Sequence, residues 1–311
     1  MSSMPIRIAI AGFGKIARDQ HLPALAADER FELVAVADPG PDPGAGTRWF
    51  ADHREMIVVM SGRLDAVAVC TPPSARHAIA GDALKAGLHV LLEKPPAATL
   101  GEIEHLESLA RLTGRSLFTA WHAQHNPAVN AAAAALAGRT IGSLDISWLE
   151  DVRKWHPDQE WIWQPGGFGV FDPGINALSI ATRILPMPLF VTGATLFYPS
   201  NRQAPIAASL AFAGPPGMLR AEMDWRFTEG EQWTIRVGTT EGGRLELRAG
   251  GASLLIDGIA QKLPGSGEYP AIYDRFAALI AGGAVEVDRE PLRIVADAFL
   301  IGRRELVEPF L

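Results

Sequence analysis

Three polar side chains in this sequence lie in runs rich in glycine or proline, and their types suit chemistry on a hydroxyl group. Lys94 stands in the run EKPP, while Asp172 and Asn176 stand in the run GGFGVFDPGINALS at residues 166–179. An ammonium can polarise a substrate oxygen, and a carboxylate can accept the proton of a hydroxyl. An amide takes no proton, so it could only orient that hydroxyl. If these side chains act together, they could deprotonate an alcohol.

Each of these residues also has an ordinary structural explanation. Lys94 could be a solvated lysine that pairs with Glu93. Asp172 could be the N-cap of a helix whose first residue is Pro173, which is a common helix start. Asp172 and Asn176 are four residues apart, so on a helix they would share a face and could meet one ligand.

The first 120 residues predict a parallel sheet. Short apolar runs alternate with helical patterns, and five of them are typical of strands: IRIAIA (6–11), FELVAVA (31–37), DAVAVC (65–70), HVLLE (89–93) and SLFTA (116–120). Nearly continuous apolar strands between helices indicate a sheet that is covered on both faces. We therefore predict an α/β protein whose N-terminal domain, residues 1–122, is a doubly wound Rossmann sheet.

Residues 123–311 predict a second domain of a different architecture. A helix near residues 130–137 precedes a strand in IGSLDISWLED, and another helix begins near Pro173. Strand candidates follow near residues 190–198, 206–213, 219–227, 232–238, 244–248 and 252–256. Successive strands separated by turns favour an open, mainly antiparallel sheet in an α+β domain. The helical patterns YPAIYDRFAALIAG and PLRIVADAFLIGRRELV close the chain, and the last helix could pack on the first domain.

The run AGFGKIA at residues 11–17 has the form G-x-G-x-x-A between the first strand and the first helix. Gly12 permits a tight turn, Gly14 lets the backbone approach a pyrophosphate, and Ala17 allows close helix–strand packing. The N-terminus of the helix offers free N–H groups to the phosphates. Asp38 ends the second strand, where an acid can bind the adenosine ribose. The motif predicts a dinucleotide site.

The acid at the end of the second strand indicates which dinucleotide binds. A carboxylate on Asp38 would repel a 2′-phosphate, so NAD is the expected cofactor, although Arg48 could still tolerate NADP. Asp38 also suits a turn in the run DPG, and the two roles can coexist. Thr71, Pro72 and Pro73 follow the third strand, at the edge of the sheet where ligands bind in such folds.

Composition excludes several classes of partner. A formal charge of −7 without basic runs argues against nucleic acid. A single cysteine, Cys70, excludes a disulfide scaffold and favours the cytoplasm, and Cys70 itself is expected to be a buried apolar residue. The sequence has no long apolar segment and no signal-peptide core, so we predict that no membrane is a partner. We predict no metal, because His53, His77, His122 and His125 lack the spacing of a ligand cluster.

The motifs AGFGKIA, CTPP, EKPP and GGFGVFDPGIN, in this order and spacing, resemble those of the Gfo/Idh/MocA oxidoreductases over essentially the whole chain. Within that family, the stretches GKIARDQHLPAL, EKPPAATLGE, WHAQ and EDVRKWHPDQEWIWQPGG look like those of bacterial aldose 1-dehydrogenases that act on D-galactose and L-arabinose. The resemblance implies hydride exchange between NAD(P) and C1 of an aldopyranose, with an aldonolactone as the product. It also implies a homodimer formed through the C-terminal sheet.

The family pattern G-G-x-x-x-D-x-G-x-H assigns roles to single residues. It matches at Gly166, Gly167, Asp172 and Gly174, but Asn176 stands at the histidine position. This departure leaves the acid–base work to Asp172 and Lys94. The substrate-binding residues implied by the resemblance are Asn176, His122, Glu150 and Trp155. The expected cofactor-binding residues are Gly12, Phe13, Gly14, Lys15, Ile16, Asp38, Thr71, Pro72, Pro73, His77, Glu93 and Lys94.

Structural alternatives remain for the sugar-binding residues. His122 could be a buried histidine with satisfied hydrogen bonds, and Trp155 could be a packing residue. Glu150 and Asp151 could pair with Arg153 and Lys154. Two other functions also remain open: a dehydrogenase for another polyol, such as an inositol or a dihydrodiol, and a non-catalytic, nucleotide-bound sugar sensor.

Overall fold

The computed structural model describes residues 4–42, 44, 46–215, 217–263, 265 and 267–311. The chain forms two compact units: Met1–Ala120 with Tyr269–Asp288, and Trp121–Glu268 with Arg289–Leu311. This division differs from the predicted one, in which a single boundary between residues 122 and 123 separates the two domains. The segment that returns to the first unit contains the helix before the last one, and the last helix lies in the second unit.

The first unit is built on a six-stranded parallel sheet, as the alternation of strands and helices predicts. Its strands are β1 (Ile6–Ala11), β2 (Phe31–Ala37), β3 (Arg48–Phe50), β4 (Ala66–Val69), β5 (His89–Glu93) and β6 (Leu117–Ala120), in the order β3-β2-β1-β4-β5-β6. Every residue of β4 is buried, which agrees with a strand covered on both faces. The chain crosses over after β3, from one side of β1 to the other, and ligands bind at such a switch point in doubly wound sheets.

Helices cover this sheet. They are α1 (Leu22–Ala26), which follows a π-helical turn at Ala17–His21, then α2 (His53–Val59), α3 (Pro73–Lys85) and α4 (Leu100–Thr113), together with α8 in chain order (Glu268–Gly282). The run TLGE starts α4 with a capping box, in which Thr99 and Glu102 exchange hydrogen bonds. One apolar face of α8, with Ile272, Tyr273 and Phe276, packs into the same core as β1 and β2.

The second unit is built on a nine-stranded mixed sheet. Its strands are β7 (Ile141–Leu149), β8 (Val191–Pro199), β9 (Ala207–Phe212), β10 (Leu219–Asp224), β11 (Gln232–Thr239), β12 (Arg244–Arg248), β13 (Ser253–Ile256), β14 (Ile259–Ala260) and β15 (Arg303–Val307), in the order β14-β13-β12-β11-β7-β10-β9-β8-β15. The pairs β7–β10 and β8–β15 are parallel and the others are antiparallel. The predicted α+β domain with a mainly antiparallel sheet is confirmed.

The central helix of the second unit is α7 (Phe171–Ile184). The other helices of this unit are α5 (Pro127–Leu136), α6 (Val152–Trp155) and α9 (Glu290–Ile301). The helix α7 packs against α5 and α9 and against the strands β7 and β11. It is buried along most of its length, so the residues of its first turn are held rigidly.

One predicted element has a different structure. The pattern PLRIVADAFLIGRRELV suggested a helix throughout, but α9 ends at Ile301 and the last five residues of the pattern form β15 beside β8. Gly302 ends the helix in an extended conformation, and pairing with β8 then outweighs the local helical preference of RRELV. Among the described residues, the helices do not reach the combination of length and hydropathy that a transmembrane segment needs.

Candidate active site

The glycine-rich turn of the first unit packs against the end of β4. Gly12 has a φ of +87°, and a Cβ atom there would lie 2.7 Å from the Thr71 backbone nitrogen, so only glycine fits. A Cβ on Gly14 would meet no atom within 4 Å, which leaves the backbone open to an approaching group. Ala17 is fully buried at the start of the helix. This is the arrangement that a pyrophosphate requires.

Asp38 lies beside this turn. Its Oδ2 accepts a hydrogen bond of 2.7 Å from the Phe13 amide, and its Oδ1 accepts one of 2.8 Å from the Gly40 amide. The carboxylate therefore stabilises the DPG turn and at the same time stands next to the glycine loop. The two interpretations of Asp38 from the sequence are compatible in the structure.

The loop after β4 carries a further indication of a ligand. Thr71 Oγ1 is buried and has no hydrogen-bond partner among the described residues. A buried hydroxyl without a partner is costly unless a ligand or water supplies one. Pro72 is the N-cap of α3, and Pro73 is its first residue. The open backbone at Gly14 and this hydroxyl both fit a dinucleotide.

The other predicted cofactor residues of the first unit are placed less distinctively. Lys15 forms an ion pair with Asp19 one turn later, and Ile16 is partly buried against the core. His77 lies on α3, where its Nε2 is 2.8 Å from Nδ1 of His105 on α4. A contact of His77 with the cofactor stays a prediction.

Neighbouring side chains hold the EKPP turn in place by hydrogen bonds to its side-chain and backbone oxygens. Glu93 is 2% exposed. Its Oε1 accepts hydrogen bonds from Tyr269 Oη at 2.7 Å and His21 Nε2 at 3.0 Å, and its Oε2 accepts one from the Lys94 amide at 2.9 Å. The Arg76 guanidinium donates to the backbone oxygens of Glu93, Pro95 and Thr71. The Lys94–Pro95 peptide bond is cis.

His21 is a fully buried member of this cluster. Its Nδ1 lies 2.8 Å from Tyr273 Oη. Burial lowers the pKa of His21, but Cys70 and Tyr273, followed by the Glu93 carboxylate, raise it well above its ordinary value. Burial raises the pKa of Tyr273 to about 12, so its hydroxyl stays protonated near neutral pH and can hydrogen-bond to the imidazole.

In the second unit, Asp172 lies in the first turn of α7 and is 4% exposed. The helix begins at Phe171 with Val170 as the N-cap, so the interpretation of Asp172 as an N-cap is wrong. The preceding glycine-rich turn lets the chain enter the helix earlier than Pro173 suggested. Asp172 Oδ2 lies 3.5 Å from His156 Nε2, and a carboxylate in the first turn is stabilised by the helix dipole.

Asn176 follows one turn later on the same helix. Its Oδ1 is buried and has no hydrogen-bond partner within the described part of the chain. Such an oxygen is available to accept a hydrogen bond from a ligand hydroxyl. Between these two residues lies Gly174, where a Cβ atom would stand 2.3 Å from Met223 Sδ. This glycine therefore allows α7 to pack closely on β10.

Glu150 is buried at the end of β7 and belongs to an aromatic cluster. Its Oε2 accepts a hydrogen bond of 2.8 Å from Trp233 Nε1. The Trp233 ring stacks on Trp148 and tilts towards Trp155, with centroid distances of 5.7 and 5.3 Å. Trp155 is 37% exposed, so part of its ring is available to a ligand.

The charged residues beside Glu150 have other partners. Arg153 pairs with Asp151, and Lys154 pairs with Glu231. The alternative in which Glu150 serves as their partner is therefore wrong, while the pairing of Asp151 with Arg153 is confirmed.

His122 lies in a short 3₁₀ helix, His122–His125. Its Nδ1 is 3.0 Å from Glu268 Oε2, and the other oxygen of that carboxylate accepts a hydrogen bond from Asn126. The Glu268 carboxylate thus holds the imidazole ring of His122 through Nδ1. Within the described ranges, no group of three or more His, Cys, Asp or Glu residues could hold a metal ion.

The structure also identifies residues that the sequence did not single out. His21, Arg76 and Tyr269 hold the EKPP turn, and Trp233 holds Glu150. His21 lies in the stretch GKIARDQHLPAL and Tyr269 opens the helical pattern YPAIYDRFAALIAG, but neither stretch indicates Glu93 as a partner. Tyr269 is 176 positions from Glu93, beyond the reach of any local pattern.

Comparison with known proteins identifies the family. Residues 6–120 match the Gfo/Idh/MocA oxidoreductase family with its NAD-binding Rossmann fold. The galactose 1-dehydrogenase of Pseudomonas fluorescens is 48% identical over 311 residues, which cover 98% of this chain and 99% of that protein. The crystal structure of a D-galactose-1-dehydrogenase from Rhizobium etli has 50% sequence identity and a TM-score of 0.92, and the match covers 100% of this chain and 99% of that one.

A more distant structure shares the fold alone. A 3-ketoreductase from Actinomadura kijaniata, solved in an open conformation with TDP-benzene and NADP, has a TM-score of 0.82 at 21% identity over 97% of this chain and 99% of that one. The relative at 48% identity spans both units and thus extends the family assignment beyond the first. This chain belongs to the Gfo/Idh/MocA oxidoreductases and is an NAD(P)-dependent sugar dehydrogenase.

Proposed function

We propose that the protein oxidises an aldopyranose of the D-galactose or L-arabinose type at C1 and releases the aldonolactone. The observation that carries this proposal is the similarity over the whole chain to galactose 1-dehydrogenase, in a chain that has Lys94 and Asp172 at the motif positions. Oxidation at C1 requires loss of the O1–H proton and of the C1 hydrogen with its electron pair. The bound nicotinamide supplies the acceptor for that hydride.

Asp172 is the proposed general base for the O1–H proton. Its burial in the first turn of α7 fixes its position and excludes bulk water from it. A positioned carboxylate contributes roughly 10²- to 10⁴-fold to such a proton transfer. Lys94 is proposed to hold O1 and to stabilise the negative charge that develops on it.

The remaining hydroxyls are recognised by side chains of the second unit. Asn176 offers its buried Oδ1 as an acceptor, and His122, whose Nδ1 is held by Glu268, contributes its imidazole to the recognition of the hydroxyls. Glu150 is oriented by Trp233 and accepts hydrogen bonds from hydroxyls. The exposed part of Trp155 packs against the C–H groups of the ring.

We further propose that NAD is preferred to NADP. Asp38 places a carboxylate beside the glycine loop, and that charge disfavours a 2′-phosphate. Gly12, Phe13, Gly14, Lys15, Ile16, Thr71, Pro72, Pro73, Glu93 and Lys94 remain the proposed cofactor contacts.

A panel of sugars tests the activity directly. The purified protein is incubated with NAD or NADP and with D-galactose, L-arabinose, other aldoses, myo-inositol or a trans-dihydrodiol, and the absorbance of the reduced cofactor is followed. We expect the highest kcat/KM with D-galactose or L-arabinose and NAD, and a lactone that hydrolyses to the aldonic acid. A preference for inositol or the dihydrodiol would reassign the substrate, and tight NAD binding without turnover on any of them would contradict the catalytic role.

The proposed assembly is a homodimer through the sheet of the second unit. Charged residues on neighbouring strands of this sheet form ion pairs: Asp145 of β7 pairs with Arg220 of β10, and Arg236 of β11 pairs with Glu246 of β12. Size-exclusion chromatography with light scattering distinguishes a dimer from a monomer. The cytoplasmic location expected from the cysteine count stays a prediction.

A further inference from the structure

We propose that Tyr269 and His21 are positioning residues for Lys94 and act on it through the carboxylate of Glu93. This inference rests on the role proposed above for Lys94. The inference gives a role in the reaction to α8, a helix of the first unit that lies near the C-terminal end of the chain.

The contacts form a continuous path. Tyr269 Oη and His21 Nε2 both donate to Oε1 of Glu93, and Oε2 of the same carboxylate accepts the backbone N–H of Lys94. A carboxylate is planar, so two donors on one oxygen restrict where the other oxygen lies. The position of Oε2 in turn restricts the Lys94 amide, and hence the direction in which the Lys94 side chain leaves the end of β5.

The two donors are themselves held rigidly. Tyr269 is 3% exposed and His21 is fully buried, and their rings meet edge to face at 4.9 Å. The Tyr273 hydroxyl, 2.8 Å from His21 Nδ1, fixes the rotation of the imidazole. The buried carboxylate thus has its donors supplied by rigid groups, which is what preorganisation of a neighbouring reactive group requires.

A second group of contacts fixes the same turn without touching the carboxylate. Arg76 donates to the backbone oxygens of Glu93 and Pro95. Loss of the Tyr269 hydroxyl should therefore leave the turn folded and change only the orientation within it. This separation allows positioning to be distinguished from general stability.

The central test is Tyr269→Phe, with Tyr198→Phe as the matched control. Both changes remove one phenolic oxygen from a buried ring, but Tyr198 lies on β8 of the second unit, under Arg304. We expect kcat of Tyr269→Phe to fall about tenfold, as for the loss of one hydrogen bond to a charged acceptor, with an unchanged KM for NAD. Tyr198→Phe should keep kcat. A merely structural role would lower the thermal midpoint and the amount of active enzyme, but not kcat per active site.

His21 provides a second pair of variants. His21→Gln keeps an N–H donor that can reach Glu93, while His21→Leu keeps only bulk. We expect His21→Gln to retain most of kcat and His21→Leu to lose it about as much as Tyr269→Phe. Equal kcat in these two variants and the wild type would overturn the inference. This pair also decides the question if Tyr269→Phe does not fold.

A readout independent of turnover separates this inference from the proposed function. Lysines are reductively methylated with ¹³C-formaldehyde, and the Lys94 resonance is assigned by its loss in Lys94→Arg. We expect that resonance to shift or broaden in Tyr269→Phe and not in Tyr198→Phe. If the wild type oxidises no sugar but the resonance responds, the proposed function fails and the positioning stands. If the wild type is active but neither kcat nor the resonance changes in Tyr269→Phe, the positioning role is contradicted and the proposed function stands.

Discussion

Tyr269 and Glu93 are 176 positions apart in the chain, and a hydrogen bond of 2.7 Å joins their side chains. The phenol comes from the first turn of α8, and the carboxylate comes from the end of β5. The contact connects the turn that carries Lys94 to a helix that follows eight of the nine strands of the second unit in the chain. Residues 269–288, which return to the first unit, therefore do more than cover its core, because Tyr269 also binds the turn that carries Lys94.

The first prediction concerns Asp172. Asp172→Asn keeps the shape of the side chain but removes the proton acceptor, so kcat should fall by about 10²- to 10⁴-fold with little change in the KM for the sugar. Steady-state kinetics with saturating NAD measure both constants. Asp151→Asn, at the half-buried partner of Arg153, is the control and should keep kcat. An undiminished kcat in Asp172→Asn would remove this residue from the chemistry.

Lys94 should behave in a similar way. Lys94→Ala removes the ammonium proposed to stabilise the charge on O1, and we expect kcat to fall by about 10²-fold or more. Binding of NAD, followed by the quenching of protein fluorescence, should change far less than kcat. Lys85→Ala, at the exposed end of α3, is the control. A variant that loses NAD binding and keeps kcat at saturation would make Lys94 a cofactor ligand only.

A substitution at Asn176 is expected to weaken sugar binding without lowering the stability of the fold. Because its Oδ1 has no partner among the described residues, Asn176→Ala should not lower the thermal midpoint, whereas the KM for the sugar should rise about tenfold. Asn201→Ala is the opposite case, since Asn201 exchanges two hydrogen bonds with the Phe310 backbone. It should lose some stability and keep its KM. The reverse pattern would show that Asn176 is structural.

Asp38 should determine the choice of cofactor. Asp38→Asn keeps an oxygen for the Phe13 amide but removes the charge, so the ratio of kcat/KM for NAD to that for NADP should fall about tenfold, equivalent to a loss of about 1.4 kcal/mol of discrimination. The control is Asp42→Asn, an exposed acid further along the same loop. An unchanged ratio would mean that Asp38 serves the turn alone.

The ion pair of Arg7 and Asp65 predicts a dependence of stability on pH. Hydrogen bonds from Arg7 hold the pKa of Asp65 below its ordinary value. Such a carboxylate stabilises the folded state above its unfolded pKa, and this contribution is lost as the pH falls through the lower, folded pKa. Asp65→Asn should therefore cost about 0.5–1 kcal/mol of unfolding free energy near neutral pH, a small value because solvent screens the pair.

Urea unfolding at several pH values measures this effect. The difference between Asp65→Asn and the wild type should shrink as the pH is lowered from about 5 to about 3. Asp158→Asn serves as the control, since Asp158 is an exposed acid, and its difference should stay small throughout. A difference for Asp65→Asn that grows towards acid pH would contradict the assigned sign.

Features that depend on neighbouring residues could be predicted from the amino-acid sequence alone. Alternating strands and helices required a parallel sheet in the first half, AGFGKIA required a tight glycine turn before a helix, and TLGE capped α4. These features follow from side-chain periodicity and backbone sterics over a few residues, so they are visible in a short window. The motif residues Lys94, Asp172 and Asn176 were likewise visible, because each stands in a run of unusual composition.

Contacts between residues that are distant in the chain became visible with the packed fold. The fold brought Tyr269 and His21 to Glu93, and Trp233 to Glu150, and it turned the end of the last helical pattern into β15. It also moved the start of α7 ahead of Asp172. These outcomes depend on the complementarity of buried surfaces and on satisfying buried polar atoms, and neither quantity can be read from the local order of residues.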